Sequence, residues 1–409
     1  MKNNCLSNLR HSLLFLLVWI TIVLFNQGLN AQDLTNSKFG KGLRVTAKDS
    51  SFALKFSFRF QTLYQGELNL DSNDWSDRMI IRRSRLKFDG WAYHPSLTYK
   101  VELGLSSSDH SGGDIIETGN TARIILDAVA KWQATKSLSI WFGQTKLPGN
   151  RERVISSQSL QFVDRSLLNS RLNIDRDIGL QVHHVSTIGS GMILKKAVSI
   201  SMGEGRDIIT RNSGGYDFTY RLELLPFGEF DSKGDYFGSD LKREPKPKLS
   251  LGATLDVNNN AARQRGQLGD YVRDDNDVQY LNDLKTLFVD AMFKYNGFSL
   301  MGEYGSKRGS EKVFATMNDG STLKYVTGDA ISLQTGYLFN NNIELALRYT
   351  SLKPDDLTFS GMRQEKQYTL GFSKYFVEHS LKIQSDLSLT DIANRSNVLM
   401  YRLQLEVAL

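Results

Sequence analysis

The 409-residue chain has a single cysteine, Cys5, and only six prolines. Cys5 precedes the apolar run of residues 13–25, so it should leave with an N-terminal signal, and the remaining chain should hold neither thiol nor disulfide. Scarce proline and the lack of any Ser/Gly/Pro-rich linker argue for one continuous architecture instead of several jointed domains. Beyond the N-terminus no stretch of 18 apolar residues occurs, which excludes a bundle of membrane-spanning helices. A transmembrane barrel escapes that test, because its strands are apolar only at alternate positions. Metal-ligand spacings of Cys, His and carboxylates are missing, as is a glycine-rich phosphate loop between strand and helix. Gly203-Glu204-Gly205 reads as a turn. The six histidines are scattered. Asp109-His110-Ser111 are neighbours in sequence, and such neighbours seldom adopt triad geometry. Neither an enzyme nor a bound cofactor is expected.

What is present begins with a secretory signature: Lys2 and Arg10, the apolar run, then a polar stretch ending at Asn30-Ala31-Gln32. The expected organisation is a signal peptide over 1–31, a periplasmic segment over 32–50 and an outer-membrane β-barrel over 51–409. Losing Lys2 and Arg10 lowers the formal charge of +6 by two, too little to argue for nucleic acid as a partner.

Alternation sets the fold class. Phe52, Leu54, Phe56, Phe58 and Phe60 share one parity, while Lys55, Ser57, Arg59 and Gln61 share the other, giving a strand with one apolar and one polar face. The pattern recurs at Leu97 to Leu105, Tyr216 to Leu224, Ile343 to Tyr349 and Leu399 to Leu409. About sixteen such segments predict an all-β, antiparallel transmembrane barrel with outer-membrane lipid against its apolar face. Short links, including Ala134-Thr135-Lys136, Asn296-Gly297 and Asn340-Asn341, alternate with long polar ones, as periplasmic turns alternate with external loops. Residues 228–246 break the rule, being long where a short turn is due. Tyr64, Tyr304, Tyr349 and Tyr375, near strand ends, suit interfacial girdles.

Parity directs Lys55, Arg59, Arg83, Arg85, Lys87 and Lys100 to the lumen, opposed on those strands only by Asp89 and Glu102. Arg82 has the wrong parity. A lipid-facing arginine at mid-bilayer costs roughly 2–4 kcal/mol, so Arg82 is expected either at the membrane boundary or turned inward by a local irregularity. Residues 146–175 carry Lys146, Arg151, Arg153, Arg165 and Arg171. Read as a solvated loop they do nothing; read as a loop folded into the barrel they narrow it opposite a basic wall, the construction of an anion or phosphate pore.

Over residues 42–178 the chain resembles the phosphate-selective porin O and P family. The resemblance is carried by Gly42-Leu43, Asp49-Ser50-Ser51-Phe52 and Phe60-Gln61, by Arg82-Arg83-Ser84-Arg85-Leu86-Lys87-Phe88-Asp89-Gly90, and by Tyr99-Lys100-Val101-Glu102. Phe142-Gly143-Gln144-Thr145-Lys146 with Pro148, Asp164-Arg165-Ser166 and Arg176-Asp177-Ile178-Gly179 complete it. It implies a sixteen-stranded trimeric porin with an inward-folded third loop that passes phosphate-like anions. By position the family's adjacent arginines fall on Arg82 and Arg83, and its constriction-loop basic residue on Arg153. Leu409 departs from the terminal aromatic usual in such barrels. A weakly selective general porin and a non-conducting structural or adhesive barrel are the alternatives.

Overall fold

The structure, a computed structural model, describes residues 38–110, 118, 123–189 and 191–409. The expected signal peptide lies outside the described residues. In chain order the strands are β1 (Leu43–Thr46), β2 (Phe52–Asn69), β3 (Trp75–Ala92), β4 (His94–Gly104), β5 (Ile125–Gln133), β6 (Leu138–Lys146) and β7 (Arg176–Ile188). There follow β8 (Met192–Ser201), β9 (Asp217–Leu225), β10 (Lys248–Ala261), β11 (Asn282–Tyr295), β12 (Phe298–Gly309), β13 (Phe314–Thr316) and β14 (Thr322–Lys324). The last are β15 (Gly328–Leu338), β16 (Ile343–Pro354), β17 (Glu365–Val377), β18 (Leu381–Ile392) and β19 (Val398–Ala408).

Sixteen of these, β2 to β12 and β15 to β19, form an antiparallel barrel in sequence order. It closes where β19 pairs with β2, from Val398 opposite Asn69 to Ala408 opposite Arg59. Closure is obligatory for a sheet in lipid, where a free edge finds no hydrogen-bond partner. β1 pairs with β2 at residues 53–56, just beyond the end of β19, and prolongs the sheet. β13 and β14 are a small hairpin within the link from β12 to β15.

Exposure follows the alternation, with the sense opposite to that of a soluble protein. On β16, Leu345 and Leu347 are 47% and 58% exposed, while Glu344 and Arg348 on either side of them are 1% and 4%. The same holds for Leu370 and Phe372 on β17 and for Leu403 and Leu405 on β19. An encircling apolar surface is stable only against lipid; the protein is a bacterial outer-membrane barrel. Among the tyrosines expected at the interfaces, Tyr375 is a correction. Its parity turns it inward, where it is 2% exposed and its hydroxyl donates to Glu344 Oε2 at 2.7 Å.

Short turns occupy one end. At the β11–β12 turn both Asn296 (φ 48°) and Gly297 (φ 87°) are left-handed, the geometry for which Asn-Gly is suited. Most of the long links occupy the other end. The link of residues 226–247 belongs to the short-turn end and folds up into the barrel mouth. Lys294 Nζ holds it there, donating to the carbonyls of Gly234, Phe237 and Ser239 at 2.8, 3.0 and 2.7 Å.

Candidate functional site

The link of residues 147–175 leaves β6 and folds inside the barrel. Its Leu147, Leu168, Leu172 and Ile174 build an internal apolar cluster with Phe288, Ala330, Leu352 and Met362. Apolar burial of this kind fixes a segment that a solvated loop would leave free. At Gly371 of β17 the wall has no side chain, and a Cβ there would meet the Phe162 ring at 2.8 Å; glycine lets the loop lie against the wall.

Polar anchors complete the attachment. Arg151 is fully buried; its Nε donates to Asp290 Oδ1 at 2.5 Å and its Nη2 to Ser250 Oγ at 2.8 Å. Gln161 Nε2 donates to Glu344 at 2.8 Å and to Ser299 at 2.9 Å. Lys382 Nζ donates to the Gln158 carbonyl at 2.8 Å, and Arg59 Nη2 to Ser157 Oγ at 2.7 Å. Asp164 meets Arg82 Nη2 at 2.8 Å and Arg83 Nη2 at 3.1 Å.

Two adjacent arginines reach one carboxylate because β3 is irregular there. Gln61 lies opposite Arg83, yet its neighbour Thr62 lies opposite Ile81, so Arg82 is the extra residue of a bulge. A bulge re-aims one side chain without disturbing the rest of the strand. Arg82 turns inward, while Met79 and Ile81 keep the outer face. Burial pushes the Asp164 carboxyl up, but Arg83 and Arg82 more than reverse this and hold it well below the usual carboxylate range.

With the loop anchored to β2, β3, β9 to β12 and β15 to β18, the open lumen is off-centre, against β4 to β9. It is a cavity of about 620 Å³. Its lining contains ten lysines and arginines, among them Arg85, Lys100, Lys146, Arg153, Arg165, Arg176, Lys195 and Lys196, against five carboxylates.

The expected site residues therefore separate. Arg85, Lys146, Arg153 and Arg165 line the cavity. Arg85 is paired with Glu102 at 3.0 Å and Asp109 at 2.6 Å, and Arg153 with Asp175. Lys146 Nζ instead donates to the carbonyls of Arg153, Val154 and Ile155 at 2.7, 3.3 and 3.2 Å. Arg165 donates to the carbonyls of Glu152 and Ile155 at 2.9 and 2.7 Å. Among the described residues neither has a carboxylate at ion-pair distance. Arg59, Arg82, Arg83, Lys87 and Arg151 are outside the cavity lining. Arg59 pairs with Glu406 at 3.2 Å and Lys87 with Asp89 at 2.8 Å, and Arg151 is a structural clamp. The surplus of basic charge on the early strands is smaller than parity implies, because Asp109, Asp127, Asp164 and Glu406 come to it from elsewhere in the chain.

Sequence reasoning missed Arg176, which binds Asp127 at 3.1 Å, and the wall group of Trp141, His183 and Lys131. Parity on β6 was the available signal for Trp141: its neighbour Phe142 is 68% exposed to the outside. Among the described residues no group of His, Cys, Asp or Glu could hold a metal ion.

The barrel, its inward loop and its lumen define a porin-type outer-membrane protein. Residues 54–201, from β2 to the end of β8 and including the inward loop, match the sequence model of the family described as phosphate-selective porin O and P. Among curated proteins none matches. The fold resembles that of an anion-selective porin from Comamonas acidovorans, with a TM-score of 0.53, 11% identity and 88% of this chain against 100% of that one covered. The trimer form of OmpT, an outer membrane protein of Vibrio cholerae, gives 0.50, 12%, 88% and 100%. The outer membrane channel DcaP of Acinetobacter baumannii gives 0.50, 13%, 88% and 99%.

Proposed function

We propose that the protein is a porin through which small anions, phosphate or polyphosphate among them, diffuse passively along the off-centre lumen. The observation that carries this reading is the pair Lys146 and Arg165. Lys146 ends β6 and Arg165 belongs to the loop; both line the cavity, and both are satisfied by carbonyl oxygens that leave their charge uncancelled. In a narrow lumen with low-dielectric walls such charges act over a longer range and more strongly than in bulk water. They favour anions, and the guanidinium fork suits phosphate oxygens in particular. Carbonyl contacts hold the two heads in place without neutralising them, so an arriving anion finds a positioned charge instead of a mobile one. Paired Arg85, Lys100, Arg153 and Arg176 extend the basic surface on either side and offer successive weak sites, as conduction requires. Assembly as a trimer, the form in which the Vibrio cholerae neighbour is described, belongs to this reading.

The test is chloride current through the refolded protein in a planar bilayer, titrated with inorganic phosphate. Block at millimolar phosphate or below, weakened several-fold in Arg165→Ala, is the expected result. Chloride conductance without phosphate block leaves a general anion porin. No conductance from a verified folded barrel favours a structural role.

A further inference from the structure

The periplasmic half of the cavity carries an arrangement that an inorganic anion does not need. Trp141 points inward from β6, its Nε1 donating to Ser139 Oγ at 3.1 Å. From the β5 side Lys131 places its Nζ 3.5 Å from the indole centroid. From the β7 side His183 stacks on the same ring, with centroids 4.0 Å apart and planes 26° apart. Phe230 and Tyr236 of the 226–247 link line the same cavity, and Lys195 Nζ lies 5.1 Å from the Tyr236 centroid. Lys195 is neutralised by Asp235 at 2.6 Å. Lys131 has no carboxylate at ion-pair distance among the described residues.

Tyr236 ties the 226–247 link to β9 through its hydroxyl, which donates to Glu223 Oε2 at 3.0 Å, and the faces of the rings are not used for apolar packing. Trp141 and Tyr236 belong to none of the apolar clusters that anchor the ingrowing segments. Both line the cavity, the indole held between Lys131 and His183 and the phenol ring near Lys195.

We infer that this half of the lumen is a binding site for organic anions whose charge is carried on an aromatic ring, such as an aryl carboxylate. The ring packs edge-on against the indole and edge-on or offset against the imidazole and phenol rings. Its carboxylate meets the Lys131 ammonium, which the indole already holds beside the ring. A cavity of about 620 Å³ falls within the range of small-molecule pockets and accommodates such a body. This inference rests on the anion-porin reading and narrows its substrate class.

The experiment is block of chloride current in a planar bilayer by benzoate and by cyclohexanecarboxylate, which share charge and similar size and differ in the ring. Benzoate is expected to block at a concentration roughly fivefold lower, the ratio one favourable ring–ring contact supplies. Trp141→Leu should bring the two blockers together and Lys131→Met should weaken both, each variant being checked for heat-modifiable migration. Equal block by both in the wild type overturns the inference, and so does a preference that survives in folded Trp141→Leu. The wild-type comparison decides by itself if neither variant folds. A channel without anion selectivity overturns the porin reading instead, so the two failures are distinguishable.

Discussion

Arg82 and Arg83 are spent on Asp164, and that one carboxylate both seats the loop and offsets one of their two charges. Asp164→Asn should release positive charge beside the lumen, and a larger anion-to-cation permeability ratio from reversal potentials checks it. Because the folded-state pKa of Asp164 is depressed, its contribution is complete above the ordinary aspartate value of about 3.9 and is lost only as pH falls through the depressed value. Its hold on the loop is therefore constant from neutral pH down to about 4, measurable as an unchanged Asn-minus-wild-type difference in conductance. Arg151 is the other anchor. Arg151→Ala leaves Asp290 and Glu223 with Arg221 alone and should cost about 3 kcal/mol, read as a lower denaturation midpoint and a flickering current. Parity in the sequence was sufficient to send Arg59, Arg83 and Arg85 inward and to single out Arg82 as irregular. Their partners were not legible: Asp164 and Glu406 lie 82 and 347 residues along the chain from Arg82 and Arg59 and meet them only once the barrel closes.

At the scale of the element, strands and turns were the legible part. Alternating side chains assigned each strand its two faces, and Asn296-Gly297 announced its turn. The links of residues 147–175 and 226–247 were visible as anomalies of length and charge. The inward course of the first was expected from its charges and from the family resemblance, whereas that of the second was not visible; the wall residues that hold them, Phe288, Gly371 and Lys294, read in sequence as ordinary lumen positions. The two links meet inside the barrel, where the Gly238 N–H donates to the Ser159 carbonyl at 2.8 Å. Replacing residues 148–174 by a short glycine-serine turn should raise single-channel conductance several-fold and reduce selectivity, since it removes both the obstruction and Arg165. An unchanged conductance in that variant would mean that current does not pass beside this loop.

For the whole molecule, the outer surface follows from lipid and the inner surface from water and charge. Closure of β19 on β2 turns a sequence of alternating faces into an apolar belt around a polar lumen. The family resemblance read from residues 42–178 and the family match over residues 54–201 cover the same part of the barrel. That part supplies the basic wall and the loop facing it, whereas β9 to β19 supply mainly the surfaces to which the loop is anchored. Asymmetry of this kind puts the open path on one side and surrounds it with twice as many basic as acidic side chains.

The most direct measurement is the zero-current potential of the wild-type protein in a planar bilayer across a tenfold potassium chloride gradient. A potential of the sign set by chloride, reduced toward zero in the Lys146→Ala/Arg165→Ala double variant, is the predicted result. A potential near zero in the wild type, or one set by potassium, would contradict the account.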